Sequence, residues 1–209
     1  MPLVKGSPND RSALTKGERT RARLLQAAVD RFGSQGYRAT AVSQLSRDAG
    51  LTPAASYAYF DDKEAFWKAA VGADLDRLGA EIARGVAFSE RPVVDAMVAL
   101  VTGLQRHALA RRVMVEGSPA DLQLVLQHPI FATATSLLAR GLAARQADGV
   151  LPAGADAAQL AMGMETIIFS LVLSVVRAGL EGEAARIDAV VALLQAAAGG
   201  PPTAAERSR

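Results

Sequence analysis

The stretch AGLTPAASYAYF, Ala49 to Phe60, sets a turn glycine, a leucine, a capping threonine, a proline, four alanines and a serine, two tyrosines and a phenylalanine into twelve positions. Thr52 followed by Pro53 is a helix-start signal. A threonine hydroxyl can accept a hydrogen bond from a first-turn N–H, and proline at the first helical position has no N–H to leave unpaired. The helix so opened lasts barely two turns. Just upstream, Val42, Leu45 and Ala49 repeat at i, i+3 and i+7, with Thr40 placed to cap that second helix and Gly50 to end it. Two short helices joined by a glycine turn form a helix-turn-helix. In such a unit the later helix lies in the DNA major groove. Small side chains there let the backbone come close to base edges, and tyrosines at the helix end can donate to phosphate oxygens.

Working outward, a first helix is predicted over residues 17–35, with Leu24, Leu25, Ala28 and Phe32 on one stripe. Gly36 follows where a positive-φ residue is wanted. A fourth helix is predicted to begin at Asp61 or Asp62 and to run through Phe66, Trp67, Ala70, Leu75 and Leu78 to about Ala83. No segment alternates like a strand, so the expected fold is all-α. The expected division is a disordered basic arm over 1–16, a helix-turn-helix domain over 17–64, a larger helical domain over 65–198 and a flexible tail over 199–209.

The chain of 209 residues is 50% hydrophobic and 21% charged, with a net charge of +2. Residues 1–50 hold nine positive and four negative side chains, leaving +5 there and −3 on the rest. A basic end on a mildly acidic body suits a polyanionic partner. There is no cysteine, which excludes thiolate chemistry. His107 and His128 lack acidic or histidine neighbours at i+3 or i+4, so a histidine-built metal site is not expected, and no cofactor is either. No phosphate-cradling glycine loop or G-x-S-x-G elbow is present, which argues against an enzyme. No signal peptide opens the chain, and the longest apolar run, Ile167 to Val176, is about half the roughly 20 residues a bilayer needs. A cytoplasmic protein is expected.

The segment LLQAAVDRFGSQGYRATAVSQLSRDAGLTPAASYAYFDDKEAFWKA resembles the N-terminal domain of TetR-type transcriptional regulators. The matching positions are Ala27, Ala28, Phe32, Gly36, Tyr37, Thr40, Val42, Leu45, Ala49, Gly50, Tyr57, Tyr59, Phe60, Lys63 and Glu64. The resemblance implies a DNA-binding domain in which Thr40 and Thr52 touch phosphates and Ser43, Gln44, Pro53, Ala54 and Ala55 face the major groove. It further implies that Tyr57, Tyr59 and Lys63 pair with phosphates, while Arg21 and its arginine neighbours follow the backbone. Two positions depart from the family. Ala54 stands where glycine is usual, and Ser56 where leucine or isoleucine is usual. A serine there either lies in a core refilled by its neighbours or is turned toward DNA.

Beyond residue 64, glycine and proline divide the chain into further helices: one opened by Ser89 and Pro92 and reaching His107, one at 110–117, one from Pro119 interrupted at Pro129, and two at about 156–178 and 183–198. The helix near 156–178 is apolar almost all round, with Leu160, Met164, Ile168, Leu171 and Val175 on one stripe. Such a helix needs cover on several faces. A two-fold homodimer through the last two helices is therefore expected, as the family resemblance also implies. The resemblance favours an effector pocket too, with Trp67, Met97, Leu104, His107, Met114, Phe131, Met162, Glu165 and Phe169 as its candidate wall. Few charges fall in these segments, so a small hydrophobic or aromatic effector is expected. The expected function is a ligand-responsive regulator, a repressor released from a pseudo-palindromic operator. The rival is a helical lipid- or membrane-associated binding protein without DNA function.

Overall fold

The computed structural model describes residues 15–86 and 92–197. Most of the expected arm, the tail from residue 199 and Ser89 lie outside the described residues. Within them every regular element is helical, and the chain divides into two compact units that meet between Ala70 and Val71.

In the first unit, α1 runs over Lys16–Ala39, α2 over Val42–Asp48 and α3 over Pro53–Ser56. The first turns of α4, which spans Lys63–Val86, complete it. α1 begins inside the expected arm, because Thr15 and Glu18 form a capping box. The Glu18 N–H donates to Thr15 Oγ1 at 3.2 Å, and the Thr15 N–H donates to Glu18 Oε2 at 2.7 Å. That backbone donor holds the Glu18 carboxyl below the usual carboxylate range. α1 kinks at Gly36, where φ is 79° and ψ is 170°, a region essentially reserved for glycine. The expected positive-φ residue is therefore found, but a last helical turn continues past it to Ala39.

Thr40 is a correction. It closes α1 rather than capping α2. It is 2% exposed, and its hydroxyl donates to the Gly36 carbonyl at 2.9 Å. Ala41 takes the N-cap position of α2, and Gln44 reaches back to its N–H. Leu24, Ala28, Phe32, Leu45, Ala49, Phe60, Phe66 and Ala70 are buried and form the core of this unit. The unit extends past the expected boundary at residue 64, because Phe66 packs on Phe60 at 4.1 Å between ring centroids and Trp67 sits edge-on to Phe32 at 5.2 Å.

The second unit holds the rest of α4, then α5 (Pro92–Arg106), α6 (Ala108–Glu116), α7 (Pro119–Leu126), α8 (Pro129–Ala147), α9 (Ala157–Ala178) and α10 (Leu180–Ala197). His107 ends the expected helix early: it occupies the junction between α5 and α6. Ser118 and Asp121 box the start of α7, and Pro129 at the first position of α8 separates that helix from α7. α9 is the central element, packed against α5, α6, α8 and α10. Met97, Leu142, Leu151, Ala161, Met164, Leu171, Val175 and Leu194 form its buried cluster.

Candidate nucleic-acid interface

The geometry of the α2–α3 pair follows from its caps. Gly50, at φ 71°, makes the turn, and the Leu51 N–H donates back to the Ser46 carbonyl at 2.8 Å. Thr52 Oγ1 accepts the Ala55 N–H at 3.2 Å, and Pro53 fills the first helical position. The capped hydroxyl keeps its own proton, which remains free to donate outward. Thr52, Pro53, Ala54 and Ala55 are exposed. A helix of four residues buries almost nothing, and what it does bury is Ser56, which is 0% exposed with its hydroxyl donating to the Thr52 carbonyl at 3.3 Å. The open question at Ser56 is thereby answered. The serine faces the core, its hydroxyl satisfied within its own turn.

The remaining candidates surround this bare element. Tyr57 is 50% exposed and Tyr59 half-buried. Lys63 Nζ lies 4.4 Å from the Tyr37 ring centroid, and the Arg21 guanidinium lies 4.9 Å from that of Phe60. Both cations rest on aromatic faces, which orients them without neutralising them. Tyr37 is 38% exposed, and its ring stacks on Phe32 and carries Lys63. Ser43 is exposed on α2, and Gln44 is half-buried.

Sequence reasoning missed the tie that fixes α2 on α1. Arg31 donates from Nε to Asp48 Oδ2 at 2.6 Å and from a terminal nitrogen to Oδ1 at 2.9 Å. This forked pair holds the Asp48 carboxyl below its ordinary range. The two residues lie seventeen apart, so no local pattern joins them.

The expected effector residues are distributed over both units. Trp67 belongs to the first unit, packed between Phe32 and Tyr37. In the second unit Met97, Leu104 and Met114 are buried, whereas Met162 is 57% exposed. Phe131 of α8 meets Phe169 of α9 edge-on at 5.7 Å, and one turn later in α8 and one turn earlier in α9 Thr135 donates a short hydrogen bond to Glu165. His107 is engaged: its Nδ1 lies 2.8 Å from Asp74 and its Nε2 3.3 Å from Glu81. Asp74 also accepts the Ala110 N–H at 2.9 Å. Glu81 is held below its usual range chiefly by the Arg106 guanidinium at 2.7 Å. Among the described residues no group of three or more acidic or histidine side chains is arranged to hold a metal ion.

A capped short helix offered outward beside an exposed tyrosine and ring-supported cations defines the class: a helix-turn-helix DNA-binding domain. Residues 24–70 match the family model described as bacterial regulatory proteins, tetR family. UidR of Escherichia coli strain K12, an HTH-type transcriptional regulator, is 29% identical over 104 residues, 48% of this chain and 50% of UidR. The match thus spans half the length of that relative. Two solved structures share the fold. A TetR-family regulator of Streptomyces coelicolor has a TM-score of 0.64 at 18% identity, over 88% of this chain and 82% of that one. SmeT, the repressor of the Stenotrophomonas maltophilia multidrug efflux pump SmeDEF, has 0.56 at 21% identity, over 86% and 90%. Residues 24–70 thus carry the N-terminal domain that the tetR-family model describes.

Proposed function

We propose that the chain is a ligand-responsive regulator that binds a pseudo-palindromic operator as a homodimer, in the cytoplasm, and represses until a small hydrophobic or aromatic effector releases it. The observation that carries this reading is the outward display of Thr52, Pro53, Ala54 and Ala55 on an element that buries only Ser56, with Tyr57 and Lys63 at its edge. In this reading the Thr52, Tyr57 and Tyr59 hydroxyls and the Lys63 ammonium hold phosphates, and Arg21 follows the backbone. Thr40 acts behind them as a buried post for the α1–α2 corner. The alanines and Pro53 offer base edges only apolar contact, such as with thymine methyls. Titrating the purified protein against labelled duplexes from its own upstream region tests the reading. Salt-dependent binding supports it, and no attraction at low ionic strength refutes it.

Dimerisation draws support from α9. This helix is long and apolar enough to cross a membrane, a test that core helices also pass, yet only 28% of its most apolar window is buried in one chain. Met162 on α9 and Leu193 on α10 are more than half exposed. A second copy would cover them. A bilayer is the occupant in the rival lipid-associated reading, and flotation with liposomes separates the two. Effector binding is supported by the buried methionines of the second unit and by the Phe131–Phe169 pair, since thioethers and ring edges adapt to apolar guests. The repressor role has its support in SmeT, a repressor of like fold.

A further inference from the structure

One side chain of the proposed interface already has its amide turned by a bond to the backbone. Gln44 is the third residue of α2, and its Oε1 accepts the Ala41 N–H at 2.8 Å. A backbone N–H can only donate, so the orientation of the amide is set: the oxygen turns back on the helix start and the NH2 group turns away from it. Reversing the amide would face two donors at each other. The residue is half-buried, and no described residue accepts from Nε2. A free glutamine reads adenine by accepting from N6 and donating to N7 at the same time. That reading needs the oxygen and the nitrogen side by side at an open edge, and here the oxygen is turned back toward the Ala41 N–H while the NH2 group points away from it.

We propose that Gln44 meets the duplex only as a hydrogen-bond donor, toward an acceptor such as a phosphate oxygen or a guanine O6/N7 edge, and does not specify adenine. This rests on the DNA-binding reading above. It makes Gln44 a determinant of what α2 tolerates: acceptor-rich edges fit it, and an adenine amino group confronts its N–H donors.

The test uses the full chain and a duplex selected from a random pool by the wild-type protein. Gln44→Glu keeps an acceptor for the Ala41 N–H and removes both donors; Gln44→Ala removes donors and acceptor without adding charge. Thermal melting of each variant verifies the fold. Each protein is titrated against the duplex carrying single methylphosphonates, single 7-deazaguanines or single adenines lacking the 6-amino group. At one position a methylphosphonate (phosphate source) or a 7-deazaguanine (base source) is expected to weaken the wild type roughly 3- to 10-fold, the value of one net hydrogen bond, and to leave both variants unchanged. Coupling of Gln44 to the adenine amino group overturns the proposal, as does the absence of coupling to any modification. A folded wild type that binds no duplex refutes instead the DNA-binding reading on which the proposal stands.

Discussion

Asp74 offers a sharp energetic test of the second unit. It is a buried carboxylate on α4 with both oxygens occupied, one by His107 Nδ1 at 2.8 Å and the other by the Ala110 N–H at 2.9 Å. Asp74→Ala removes the acceptor of a buried backbone donor, which costs about 1–3 kcal/mol. It also leaves His107 with Glu81 alone. Removing one member of a buried, hydrogen-bonded pair costs about 3–5 kcal/mol in total. For a chain of this size each kcal/mol moves the melting temperature by about 2–4 °C, so a fall on the order of 10 °C is expected. Asp74→Asn keeps an acceptor for Ala110 and can still meet the other tautomer of the imidazole, so it should lose about a third as much. Circular dichroism melts of wild type and both variants, with His107→Ala to close a double-mutant cycle, make the measurement. An Asp74→Ala protein within about 1 kcal/mol of wild type, or additive effects of Asp74→Ala and His107→Ala, refutes the reasoning.

Lys63→Ala should weaken binding to all duplexes about equally and lower the salt slope by about 1, checked by anisotropy titrations at several salt concentrations. Gly103→Ala would put a Cβ 2.5 Å from Leu78 Cδ1, a buried methyl with little room to retreat. The clash, about 1–3 kcal/mol, outweighs the roughly 1 kcal/mol that alanine adds to a helix, and urea unfolding should show a net loss. The lowered Asp48 carboxyl gives stability that is present above its unfolded value, near pH 4, and is lost as pH falls through the still lower folded value. An acid titration followed by circular dichroism should therefore begin to fall at higher pH in wild type than in Asp48→Asn, measured relative to each protein's own neutral stability. Leu193→Arg should turn a dimer into a monomer in sedimentation, since it sets a charge on the exposed apolar side of α10.

The helices themselves were written plainly in the chain. Apolar spacing at 24, 28 and 32 gives α1 its buried stripe, and the Thr52–Pro53 pair marks the start of α3, because caps and periodicity are local properties. What depended on distant partners was not legible. Thr40 has the chemistry of a cap for α2, yet its hydroxyl goes to Gly36, since the α1 kink brings that carbonyl within reach. His107 reads as one more helical residue, and only the fold brings Asp74 and Glu81 to its two nitrogens. Ser56 could not be assigned from its identity alone: a small polar residue suits either side of a short helix, and the bond to the Thr52 carbonyl is what lets it be buried. Trp67 was named for its aromatic character, and its edge contacts with Phe32 and Tyr37, thirty or more residues away, had no local signal.

The central claim is that the bare element at 53–55, with the hydroxyls and cation around it, grips duplex DNA. Its most direct test compares the wild type with the exposed-face variant Thr52→Ala/Tyr57→Phe/Lys63→Ala on one duplex across a salt series, with melting curves confirming that both are folded. Binding by the wild type that steepens as salt falls, and that drops at least tenfold in the variant, is the result expected. Equal binding by the two proteins would contradict the account.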